Sequence, residues 1–158
     1  MSAEIDKLSP EDREILLRTP AIVAILAAIS DDGEVSKHEK TESIKLAHFR
    51  TYTAEPMLQN FYKEVDPVFE QHFEEEMSQL PAEWKDKEEH LQAKIEQLNQ
   101  VLPKMNDVYA MRLVESLKSF ARHIFKSNSN FLNYFVLPVF MNKVEKESFN
   151  MHLGEEEE

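Results

Sequence analysis

Residues 19–39, "TPAIVAILAAISDDGEVSKHE", decide the fold of this chain. The run 21–29 is apolar almost all round, which marks a helix buried in the middle of a domain rather than lying on its surface. Thr19 and Pro20 ahead of it are a helix-start signal, a hydroxyl cap followed by proline at the first helical position. Gly33 behind it closes the helix, because glycine readily takes the left-handed conformation found at helix ends. Ser36 and Glu39 then form a capping box that opens a second helix over residues 37–52. The stretch therefore reads as buried helix, bend, capped helix.

The same punctuation extends in both directions. Ser9, Pro10 and Asp12 start a helix near Pro10, which either kinks or restarts at Pro20. Pro56 opens a helix whose Leu58, Phe61, Tyr62, Val65, Phe69, Phe73 and Met77 keep helical spacing, and Asp66–Pro67 is expected to interrupt it with a fresh cap. Pro81 opens a highly charged helix near 82–102. Its narrow stripe of Trp84, Leu91, Ile95, Leu98 and Leu102 resembles one side of a coiled-coil hairpin. Pro103 stops it. A helix over 104–126 follows, with Val108, Leu113, Leu117, Phe120, Ile124 and Phe125 inward. After the polar turn "KSNSN" a last helix carries Phe131, Tyr134, Phe135, Leu137, Phe140 and Val144.

Only two glycines, Gly33 and Gly154, occur in 158 residues, which argues against a sheet-rich fold with many tight turns. The expectation is a single all-α bundle of five to seven helices over 1–154, with residues 155–158 as a solvated, disordered acidic tail. Cysteine is absent, which removes thiolate metal sites and cysteine nucleophiles and fits a reducing compartment. The N-terminus shows neither the basic nor the apolar region of a secretory signal, and no apolar run approaches the roughly 20 residues of a membrane span. A cytoplasmic protein without membrane insertion is expected. The net charge of −12 repels phosphate backbones, so no nucleic-acid partner is expected.

The bend at Gly33 has two readings. With Gly33 at the sixth position of a calcium-binding helix–loop–helix, Asp32, Glu34, Val35, Ser36 and Glu39 fall where the second half of that loop needs them. The first half departs, because Ala28 and Ser30 stand where carboxylates belong. A partial cage of Asp31, Asp32, Glu34 and Glu39 would suit a hard divalent cation, calcium or magnesium. The metal-free reading assigns Gly33 to the turn and Ser36 and Glu39 to the cap, with the acids favourable against a helix N-terminus.

The apolar helix running into "AAISDDGEVSKHE" resembles the TerB-like (tellurite-resistance) family. The similarity covers residues 20–42 and, more loosely, continues to about residue 73. The resemblance implies an all-helical fold of pseudo-repeated helix pairs. It also implies an acidic metal site at Asp31, Asp32, Glu34 and Glu39, and a link to metal or oxyanion stress. The family's second corner would correspond to "ARHIFKSNSNFLNYF", residues 121–135, where Lys126, Ser127, Asn128, Ser129 and Asn130 replace the acids. The segment near 82–102 looks like an insertion relative to a compact member.

Other catalytic signatures are missing: no Glu-x-x-His pair, no phosphate-cradling glycine loop, no Gly-x-Ser-x-Gly elbow. His38 lies one helical turn from both Glu34 and Glu42. His48, Arg50 and Tyr52 could line a cleft with Tyr62, core packing or a surface hydrogen bond being the plainer expectation. Two functions are therefore expected. One is a non-enzymatic stress-associated protein holding a divalent cation at the corner. The other is a helical interaction module that docks a protein partner or a second copy, through its acidic face and the stripe near 91–98.

Overall fold

A computed structural model describes residues 3–32 and 34–124 and, at positions 3, 30–32 and 124, the backbone only. Among these residues every element is helical. A one-turn helix, α1 (Ala3–Asp6), precedes six longer ones: α2 (Pro10–Asp32), α3 (Lys37–Thr53), α4 (Pro56–Val65), α5 (Phe69–Ser78), α6 (Trp84–Val101) and α7 (Asp107–Ile124). The all-α bundle expected from composition is the observed fold. The last expected helix, the domain boundary at 154, the acidic tail and the second corner lie outside the described residues.

Helix α2 is the axis of the bundle, in contact with α3, α4, α5, α6 and α7. Residues 21–29 are all at most 3% exposed, as their unbroken apolar character requires. Each Val, Leu or Ile so buried is worth roughly 1.5–3 kcal/mol of transfer free energy, which makes this helix the main hydrophobic contributor. Ser9 caps its start, Oγ accepting from the Asp12 N–H at 3.1 Å. The helix does not restart at Pro20. Thr19, expected as a second cap, turns its hydroxyl back to donate to the Ile15 carbonyl at 2.9 Å. It is buried, and bonding within the helix satisfies it better than capping forward would.

Helices α4 and α5 carry one continuous apolar face of Leu58, Phe61, Tyr62, Val65, Phe69 and Phe73, all buried. The interruption at Pro67 is a 3-10 turn, Asp66–Val68, and no fresh cap forms. Asp66 instead meets His48 Nδ1 at 2.9 Å, joining α3 to the turn.

The charged helix starts at Trp84, three residues after the proline expected to open it. Leu91, Ile95, Leu98 and Leu102 are buried, and the principal neighbour of α6 is α2. The stripe is therefore a core face of the bundle and is not available as a docking seam. Trp84 does not join it: the ring is half-exposed and its Nε1–H donates to the Ile29 carbonyl at 3.2 Å, near the end of α2. Helix α7 begins at Asp107 because Asn106 caps it, Oδ1 accepting from the N–H groups of Val108 and Tyr109 at 3.0 and 3.2 Å. Val108, expected inward, is 50% exposed, while Leu113, Leu117 and Phe120 are fully buried. Val108 falls off that face, whereas Tyr109 and Ala110 in the same turn are buried on it.

Between α2, α5 and α6 lies an ionic network built on a buried carboxylate. Glu76 is fully buried, with Oε2 accepting from Arg18 Nη1 at 3.1 Å and Oε1 3.7 Å from Lys94 Nζ. Arg18 also holds Glu75 at 2.6 Å and Glu14 at 2.8 Å. His72 is buried beside them, with Nε2 3.3 Å from Glu14 Oε1. Burial, and next the Arg18 charge, hold His72 below the ordinary histidine pKa of 6.5, against the pull of Glu14. A depressed histidine favours folding when neutral. Below about pH 6.5 the unfolded chain takes up a proton that the folded chain resists, so stability should fall with acidification until the buried ring itself protonates. Urea denaturation between pH 7.5 and 5.5 is expected to show a decline that is shallower in His72→Leu; identical slopes would remove His72 as its source.

Candidate functional site

The bend between α2 and α3 is held by its cap. Ser36 Oγ accepts from the Glu39 N–H at 3.0 Å, and Glu39 Oε1 accepts from the Ser36 N–H at 2.8 Å. Both halves of the expected capping box are present, so one carboxylate oxygen of Glu39 is engaged by backbone. Glu34 is exposed just ahead of it. The side chains of Asp31 and Asp32, and Gly33 itself, lie outside the described residues. Among the described residues, no group of three or more His, Asp or Glu side chains is close enough to hold a metal.

A second feature opens beside the corner. One face of α3 and one face of α7 diverge to leave a groove of about 800 Å³, lined by His38, Glu39, Glu42, Lys45, Leu46, Phe49, Ser119, Arg122 and His123. It continues into a shallower part of about 440 Å³ that shares Leu46, Phe49, Ser119 and His123 and reaches Leu58 and Arg112. The α3 residues recur every three or four positions, so a single helix face supplies that wall. Leu46 and Leu58 are buried in the floor, whereas Phe49 is 51% exposed. The rim mixes both signs of charge. His38 and Glu42, read from sequence as one helix face, do line this groove together, opposite His123, without converging on a point that three such ligands share.

Arg50 fixes the spacing of the two walls. Its Nη1 donates to the Ser116 carbonyl at 2.9 Å and to Ser116 Oγ at 2.8 Å, and Nη2 donates to Ser119 Oγ at 3.2 Å. The guanidinium also lies 5.7 Å from the Tyr62 ring centroid and 5.5 Å from that of Phe120, within cation–π range. Tyr62 is buried, and its hydroxyl lies 2.7 Å from Ser116 Oγ. Burial pushes the phenol up from its ordinary pKa, opposed by Arg50 and Ser116, so it remains a neutral hydrogen-bonding group.

Of the three residues expected near a cleft with Tyr62, only Arg50 reaches it. His48 pairs with Asp66, and Tyr52 is exposed, packed edge-on against Phe49 at 5.1 Å between ring centroids. Sequence reasoning placed Arg50 beside Tyr62 but gave neither its partners Ser116 and Ser119 nor the buried Glu76. Glu76 carried a usable signal, standing one turn beyond Phe73 on the apolar face of α5. The link from Arg50 to Ser116 carried none, because Ser116 is 66 residues away along the chain.

Compared with known proteins, the chain matches no family profile, no curated sequence and no solved structure. The resemblance to the TerB-like family rests on the residues quoted for it. Among the described residues no helix is long and apolar enough to cross a membrane.

Proposed function

We propose that this chain is a non-enzymatic, cytoplasmic helical docking module whose working surface is the groove between α3 and α7. The supporting observation is a solvent-open groove, lined mostly by polar residues, with Leu46 and Leu58 at its floor, a half-exposed phenylalanine and a rim of both charges, its walls tied by Arg50. Such a surface suits an amphipathic helix, whose apolar stripe meets the floor while its polar edges meet the rim. The occupied length of α3, about 16 residues at 1.5 Å each, is roughly 24 Å and accommodates about four turns of a partner helix. A peptide-display selection tests this reading. Peptides with an i, i+3, i+4, i+7 apolar stripe should be enriched on the wild type and lost on Phe49→Asp, whose exposed position leaves the fold intact. Equal recovery on both proteins would end the proposal.

A second reading, a divalent cation at the corner, draws on the end of α2. The last turn of that helix contains Asp31 and Asp32 and no basic residue, so acids stand at the negative end of a helix dipole, where cations are favoured. Calcium or magnesium held by Asp31, Asp32, Glu34 and Glu39 would relieve this, as the TerB-like resemblance implies together with a role in metal or oxyanion stress. A ligand bound only by the folded state raises its melting temperature. No rise with either ion, or the same rise in Asp32→Asn/Glu39→Gln, would dismiss it.

A further inference from the structure

We infer that the resident occupant of the α3–α7 groove is this chain's own segment 131–144, "FLNYFVLPVFMNKV"; the inference rests on the docking reading above. In a chain that is 30% charged, this segment holds a single charged residue, Lys143. Its Phe131, Leu132, Tyr134, Phe135, Val136 and Leu137 form a run too apolar to be left in water at no cost. Placement points to the groove. The described part of α7 runs to Ile124, and Arg122 and His123, immediately before that point, already line the groove wall. The chain therefore leaves the described structure at the groove's edge.

Six residues, 125–130, separate Ile124 from Phe131, and fully extended they reach roughly 20 Å, enough to reverse direction and enter. Phe49, with Tyr52 packed on it, offers exposed aromatic surface on the α3 wall. Tethering by so short a linker gives a local concentration of about millimolar order, which favours the chain's own segment over a free competitor.

The chain has no cysteine, so an engineered pair reports unambiguously. In the full chain, Lys45→Cys with Asn133→Cys should be joined by a short bis-maleimide within one molecule. The control pair Lys63→Cys with Asn133→Cys should not, Lys63 being an exposed α4 residue away from the groove lining. Adding Phe49→Asp should abolish the link. Absence of the intramolecular product overturns the inference, and a dilution-sensitive product between two chains assigns the groove to a second copy instead. The selected peptides separate this failure from that of the docking reading. If the segment competes, they should bind Phe131→Asp/Phe135→Asp about tenfold tighter than wild type. Equal binding to both proteins would leave the docking reading standing and remove the segment as occupant.

Discussion

Replacing Arg18 with methionine is expected to cost about 3–5 kcal/mol, the typical penalty for stripping a buried charge of its partner. Glu76 is fully buried, and Arg18 supplies its closest cation; Lys94, at 3.7 Å, is left as the remaining one. The companion outcome is what distinguishes this account from simple loss of packing. Glu76→Met on the Arg18→Met background should restore most of the loss, because a buried ion pair exchanged for apolar side chains of similar volume is close to neutral. Urea denaturation of the two single variants and the double variant gives the coupling energy directly. A loss below about 1 kcal/mol for Arg18→Met, the size of an exposed pair, would show that the network is solvated in solution.

The second large effect concerns α6. Leu91→Ala and Leu98→Ala are each expected to lose about 2–5 kcal/mol, as fully buried leucines do when a cavity replaces them. The expected sedimentation behaviour of both variants is that of the wild type, because the stripe faces α2 and not a second chain. A change in oligomeric state with stability preserved would return the stripe to the role of a subunit seam. The sequence pattern left that role open.

Those leucines show what a sequence makes legible. Periodicity identifies a buried face, and Leu91, Ile95, Leu98 and Leu102 are buried as their spacing requires. It does not identify the neighbour, so a helix packed on α2 read as a candidate coiled coil. Local hydrogen bonding was legible at two helix starts. Ser9 and the Ser36–Glu39 box cap as their spacing dictates. The errors arose where a neighbour outside the local pattern decided the outcome. Thr19 bonds backward inside its helix, Asp66 turns to His48, and Val108 sits beside a cap that spacing alone does not reveal.

For the site, the α3 wall was half legible, since His38 and Glu42 share a helix face. The opposite wall was not: Ser116, Ser119 and His123 come from a helix about 70 residues downstream, and no local pattern couples them to Arg50.

Trp84 is the one tryptophan in the chain, half in water and bonded through its indole to the last full turn of α2. Its fluorescence is therefore a built-in optical probe of the acidic bend. A ligand that tightens this end of α2 should shift the emission to shorter wavelength without any added label. Occupation of the α3–α7 groove should leave the spectrum where it was.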